Sequence, residues 1–264
     1  MPDEREQAVA FLWATDLSAA EAATPVWVSD RHGVDCDARA WVITDRQRPL
    51  LWDANYLYVQ HRGRADAEAL VRAAVRTLGS ADGARGGIVI AGASEGAQLD
   101  EPFAALGWRA GPLLLMAHRH PQHLAGAPGG RPVDDTEATP ARRAVILDGG
   151  RGGESVADQI LSRAALIARL TEGASYGAEH EGSVASSCVV LRRGSVAQLD
   201  DIGTAPAARG RGLGRAVVSF ATQRARERAA LVFLCADPLD WPRHLYARLG
   251  YEPVGYLHRF FPVF

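Results

Sequence analysis

The order of apolar and polar segments in this chain recurs across a stretch that has no periodicity of its own, and that recurrence limits the possible folds more than any other feature. From His120 to Pro140 the sequence is a mixture of proline, glycine and charge, with Ala127-Pro128-Gly129-Gly130-Arg131-Pro132 followed by Asp134-Asp135-Thr136-Glu137. Before it, a helical pattern around Ala67 to Leu78 leads to the apolar run Ile88-Val89-Ile90-Ala91 and then to Phe103-Ala104-Ala105-Leu106-Gly107-Trp108. After it, Leu213, Ala216, Val217, Phe220 and Ala221 fall at helical spacing, leaving Arg215, Gln223, Arg226 and Glu227 for solvent. The continuous apolar run Ala230 to Ala236 follows, as expected of a strand covered on both faces. Leu245-Tyr246-Ala247-Arg248-Leu249-Gly250-Tyr251 comes next, with Gly250 as a helix C-cap. Phe103 then matches Tyr246, Gly107 matches Gly250, Trp108 matches Tyr251 and Val89 matches Val232, each pair 143 residues apart. A length of 264 residues suits two α/β units rather than one. The expected division is a first domain over 1–124, a linker over 125–139 and a second domain over 140–264.

Composition removes whole classes of chemistry. All 29 basic residues are arginine, so no P-loop, kinase strand lysine or Schiff-base amine can be built from this chain. A formal charge of −2 gives no basic footprint for nucleic acid. Cys36, Cys188 and Cys235 have no paired spacing and read as small reduced core residues, with no metal site expected. His118, His120 and His123 form H-x-H-x-x-H at the linker edge, with no carboxylate or cysteine among them, and read as a solvated loop. The acidic start Met-Pro-Asp-Glu-Arg and the lack of a long apolar run predict a cytoplasmic protein without membrane association.

The chemistry concentrates between the strand Val196 to Thr204 and the helix that follows, in Arg209-Gly210-Arg211-Gly212-Leu213-Gly214-Arg215. A glycine-rich turn at this junction lets backbone N–H groups converge on an anion, and pyrophosphate is the natural ligand. Arg215 stands where a Rossmann fingerprint needs its third glycine, which disfavours a dinucleotide fold.

This loop resembles the R/Q-x-x-G-x-G/A pyrophosphate loop of the GNAT superfamily of acyl-CoA-dependent acyltransferases. A preceding Thr204-x-Pro206, the amphipathic helix, the buried strand and Leu245-Tyr246-x-x-Leu249-Gly250-Tyr251 follow in that family's order. The resemblance covers about Ala141 to Phe264, with Arg143 to Asp148 as a first strand and Glu154 to Leu170 as a helix. It implies an α/β fold with a mixed α+β sheet and two tandem GNAT-like domains, the N-terminal one degenerate. It also implies that strands Val196 to Thr204 and Ala230 to Ala236 run parallel and then splay apart, with acetyl-CoA in the wedge as acyl donor. The amides of Arg211 to Gly214 would take its pyrophosphate, flanked by Arg209, Gly210 and Arg215. The backbone of Ile202, Gly203 and Thr204 would take pantetheine and the thioester carbonyl. Tyr246 matches the family's general acid.

Many relatives place a glutamate base on the strand before the loop, where this chain has Gln198. Period-two alternation puts Gln198, Asp200, Ile202 and Thr204 on one face and Asp201 on the other, so Asp200 is the candidate base, acting directly or through water. Asp237-Pro238-Leu239-Asp240-Trp241-Pro242 stands where relatives carry an asparagine that contacts CoA. The first half has Gln60-His61-Arg62-Gly63-Arg64-Ala65-Asp66 against the loop and Phe103 against Tyr246, and is expected not to bind CoA. Glu179-His180-Glu181 reads as a polar hairpin turn. The resulting expectation is transfer of acetyl from acetyl-CoA to a primary amine of a small molecule; a catalytically silent acyl-CoA-binding regulatory or interaction protein is the alternative.

Overall fold

The computed structural model describes residues 2–79, 86–124, 129–150 and 152–263. In chain order the elements begin with α1 (Glu4–Ala19), β1 (Ala22–Ser29), β2 (Asp35–Thr44), β3 (Tyr56–His61), α2 (Ala67–Leu78) and β4 (Gly87–Ile90). Next come α3 (Ala93–Ala97), α4 (Asp100–Ala105), β5 (Trp108–Ala110), β6 (Leu113–His118), β7 (Gly130–Pro132), α5 (Asp135–Asp148) and α6 (Gly153–Leu170). The chain finishes with β8 (Ala174–His180), β9 (Ser183–Arg193), β10 (Val196–Thr204), α7 (Leu213–Arg226), β11 (Leu231–Ala236), α8 (Pro242–Arg248) and β12 (Tyr251–Pro262).

Two compact units result, and neither is a continuous piece of sequence: one comprises Met1–Ala19 with Leu115–Val254, the other Ala20–Leu114 with Gly255–Phe264. Helix α1 is therefore grouped with the C-terminal half, although the sequence division assigned residues 1–124 to a first domain. Its residues Ala8, Phe11, Thr15 and Ala19 are buried at helical spacing. The Phe11 ring meets the Phe233 ring edge-on at 5.5 Å, and Asp16 pairs with Arg163 at 2.7 Å. Each unit also receives a strand from beyond the other's chain boundary: Leu115–His118 of β6 joins the first unit, and Gly255–Pro262 of β12 joins the second.

In the second unit β1 to β4 lie in order, with the later part of β12 beside β4 and β5 on β12. Helix α2 buries Ala67, Leu70, Ala73 and Ala74 in its core. Phe103 is fully buried and stacked on Phe260 at 4.1 Å, as a core aromatic.

In the first unit the order is β7, β8, β9, β10, β11, then β6 and the start of β12. The β8–β9 connection is a two-residue hairpin in which Glu181 and Gly182 both have positive φ, 52° and 79°, the geometry that matches strand twist. The expected strand Arg143 to Asp148 is instead the end of helix α5. An apolar Ala-Val-Ile-Leu run suggested extended structure, but Asp134 and Glu137 form a reciprocal capping box, and Ala138, Ala141 and Arg142 are buried at helical spacing. The first strand is β7, within the stretch read as linker. His118 is also not in a solvated loop. It is buried on β6, where its Nε2–H donates to the carbonyl of Leu249 at 3.2 Å and Nδ1 accepts from Arg226 at 3.2 Å. Among the described residues no helix is long and apolar enough to cross a membrane.

Candidate active site

Strands β10 and β11 pair in parallel only from Val196–Leu231 to Leu199–Leu234, although β10 continues to Thr204 and β11 to Ala236. Beyond Leu199 the two strands part. On its other side β10 stays paired with β9, but a bulge between Asp200 and Gly203 inserts one residue, with Asp201 at φ 51°. The bulge ends the period-two alternation that makes Asp200 the candidate base in the sequence. Asp200 is exposed and does not line the cleft, whereas Asp201, Ile202, Gly203 and Thr204 do. Ser186 fixes this segment by donating to the carbonyl of Gly203 at 2.9 Å, with its Oγ also 2.9 Å from that of Thr204. Gly203 is needed for a close approach: a Cβ there would come within 2.9 Å of Val145 on α5.

The opening is a cleft of about 830 Å³. At one end is the loop before α7. Gly210 and Gly212 have φ 77° and 78°, and nothing lies within 4 Å of the space a Cβ would take. Gly212 is the N-cap of α7 and no side chain caps that helix, so its first amides point at open space with the positive end of the helix dipole. Arg209, which also lines the cleft, is paired with Asp148 at 2.7 Å. Arg211 and Arg215 are exposed and have no ion pair among the described residues; Arg215 lines the cleft together with Gly210, Gly212, Leu213 and Gly214. An anionic diphosphate fits this combination of open amides, glycine clearance and available arginine.

At another wall is α8. Tyr246 lines the cleft and is 6% exposed, and its hydroxyl makes no hydrogen bond among the described residues. Burial pushes its pKa well above the ordinary tyrosine value, with smaller contributions in the same direction from Cys188, Asp240 and Asp200. Tyr251, five residues later, is fully enclosed, and its hydroxyl lies 2.7 Å from Thr222 Oγ1. Gln198 is 4% exposed within β10. The sequence reading missed Arg142, Val145 and Asp148 of α5 as cleft residues, because a helix read as a strand has the wrong periodicity to present them together.

The second unit repeats the crossover of a strand, a helix and a parallel strand: β3 and β4 pair from Tyr56–Gly87 to Val59–Ile90, and the amide of Ala91 bonds to the carbonyl of Val59. The N-terminus of α2 is capped by the carboxylate of Asp66, which accepts from the amide of Ala69. Gly63 is packed so tightly that a Cβ would sit 2.3 Å from the carbonyl oxygen of Cys36.

Comparison with known proteins agrees with this geometry. The profile of the acetyltransferase (GNAT) family matches residues 150–251. No curated protein matches the chain. Among solved structures, a functionally unknown conserved protein from Staphylococcus epidermidis aligns with TM-score 0.63 at 16% identity, over 90% of this chain and 94% of its own. A GCN5-related N-acetyltransferase from Kribbella flavida aligns with TM-score 0.62 at 19% identity, over 97% and 95% of the two chains. A tandem GNAT protein from the clavulanic acid biosynthesis pathway aligns with TM-score 0.55 at 15% identity, over 94% and 86%. At these identities the structures speak for the fold: the chain has a tandem GNAT-like fold, and its residues 150–251, which hold the splayed strands and the open glycine loop, are those that match the acetyltransferase (GNAT) family profile.

Proposed function

We propose that the first unit is an acyl-CoA-dependent N-acyltransferase that moves acetyl from acetyl-CoA to a primary amine of a small molecule by direct attack. The observation that carries this reading is the parting of β10 from β11 beyond Leu199, with an uncapped helix N-terminus and Tyr246 lining one cleft. Bound acetyl-CoA supplies an activated acyl carbon and a thiolate leaving group. The amides of Leu213, Gly214 and Arg215, with the Arg215 guanidinium, hold the pyrophosphate; Arg211 adds charge from the exposed side of the loop. The segment Ile202 to Thr204, released from β11, offers backbone groups to pantetheine and to the thioester carbonyl, where strand amides stabilise developing negative charge.

Tyr246 serves the leaving sulfur. Its raised pKa keeps the phenol protonated across ordinary pH, and its hydroxyl has no hydrogen-bond partner among the described residues, so it can donate to the departing thiolate. The attacking ammonium must first lose a proton. Asp201, brought into the cleft by the bulge, is the carboxylate we assign to receive it, directly or through water; Asp200 is on the exposed side.

One observation favours the silent acyl-CoA-binding reading. Buried Gln198 stands where a basic glutamate would be useful, and an amide cannot accept that proton. An acceptor-library screen with acetyl-CoA, following free CoA, separates the two. Release that depends on an added amine supports the transferase. Binding of acetyl-CoA without release to any amine supports the silent protein.

A further inference from the structure

We propose that the acceptor carries a carboxylate beside its amine, as an amino acid or amino-acid-like compound does, and that Arg142 of α5 receives that carboxylate. The inference rests on the transferase reading and names its substrate class.

Of the arginines that line the cleft, Arg209 is paired with Asp148, and Arg215 and Arg248 are exposed. Arg142 alone among them is buried, at 7% exposure. Its guanidinium is only partly satisfied. Nη1 lies 3.2 Å from Asp135 Oδ1, whose side chain is half exposed, and Nη2 donates to Ser175 Oγ at 3.0 Å. Ser175 in turn donates to Asp135 at 2.9 Å. Nε is buried and has no hydrogen-bond partner. A buried cation held by one solvated carboxylate, with a donor left over, is poised for a second anion.

The position of Arg142 sets what that anion belongs to. One turn further along α5, Val145 packs against Gly203 of the opened strand. Ser175, the partner of Arg142, pairs with Val189, and Val189 pairs with Asp200. Arg142 is thus anchored on the same rung of the sheet as the bulge that carries Asp201, about 10 Å across two strand spacings. That rung is several residues from the phosphate-binding loop. A cation on α5 and a carboxylate on β10 border one cleft, the charge arrangement that complements a zwitterion: ammonium toward Asp201, carboxylate toward the Arg142 fork.

The test compares matched acceptors: amino acids, their carboxamides and the corresponding decarboxylated amines, each with acetyl-CoA and free CoA as readout. The wild-type protein should prefer the acid over the carboxamide by on the order of 10²-fold in kcat/KM, mostly through KM. Arg142→Gln should reduce that preference to within a few-fold and leave acetyl-CoA affinity unchanged; Arg142→Lys should restore part of it. A purely structural Arg142 would move stability without moving the acid-to-amide ratio. Turnover of carboxamides and plain amines as fast as acids upholds the transferase and overturns this proposal, as does a preference that survives Arg142→Gln. If Arg142→Gln fails to fold, the wild-type acid-to-amide ratio decides alone. If no acceptor turns over, calorimetric titration of amino acids into the CoA-saturated protein decides. Binding lost in Arg142→Gln upholds the carboxylate site, and no binding overturns it.

Discussion

The carboxylate of Asp66 accepts from the amide of Ala69 at 2.8 Å, and this one bond closes the helix terminus that its counterpart in the other unit leaves open. At α2 the cap places a negative charge where a phosphate would have to sit; at α7 Gly212 occupies the N-cap and offers no side chain. The two units therefore differ in what they offer an anion at the matching helix terminus.

Stoichiometry follows from that difference. Calorimetric titration of acetyl-CoA should show one site per chain. Two equivalent sites would mean that α2 also accepts the cofactor, and no heat or competition with CoA at all would remove the assignment of the loop.

Substitutions at Gly212 isolate the role of charge in the cradle. Its φ of 78° is one that Asp and Asn tolerate better than other side chains, and the space around a Cβ is clear. Gly212→Asp should abolish acetyl-CoA binding with little change in melting temperature, because a carboxylate there repels pyrophosphate; Gly212→Asn should lose far less. Equal losses would point to steric rather than electrostatic disruption. Gly63→Asp is not a useful control in the second unit, since a Cβ at that position meets the backbone of Cys36 and Asp37.

His118 gives a pH dependence of stability. Burial chiefly, with repulsion from Arg226, lowers its pKa to about 4. In the unfolded chain the imidazole titrates near ~6.5. Below that value the unfolded state binds a proton that the folded state refuses, so stability falls as pH drops from about 6.5 toward 4 and this contribution then levels off. The loss across the window is on the order of 3 kcal/mol. His118→Gln keeps a donor for the Leu249 carbonyl and should flatten urea-unfolding stability over that range. A wild-type profile already flat there would show that His118 is protonated in the folded protein.

How far the sequence carried the fold can be seen at particular residues. The loop, the helix α7 and strand β11 were legible because each is local: glycine spacing, helical periodicity and a short apolar run do not depend on distant partners, whereas Tyr246 was singled out only through the family resemblance. The constant spacing between halves held only approximately. Parallel pairing joins Tyr56 to Gly87, 31 residues on, but Val196 to Leu231, 35 residues on, so the crossover that contains the glycine loop is longer than its counterpart. Asp201 could not be found from alternation, because a bulge is set by pairing with β9 and leaves no mark in the hydrophobic pattern. Arg142 was hidden by the Ala-Val-Ile-Leu run, which satisfies strand and helix patterns alike until the Asp134–Glu137 capping box is weighed. The grouping of helix α1 with the first unit and of Gly255–Pro262 with the second depends on long-range packing that no local pattern records.

The most direct test of the central claim is the kinetics of Tyr246→Phe, measured where chemistry limits the rate and with an acceptor found by the amine screen. The ring is kept, so packing and acetyl-CoA affinity should survive, and the second unit already uses phenylalanine at the matching position, Phe103. If the free hydroxyl protonates the leaving thiolate, kcat should fall on the order of 10²-fold while KM for acetyl-CoA changes little. An unchanged kcat would contradict the account and leave Tyr246 as a wall of the cleft.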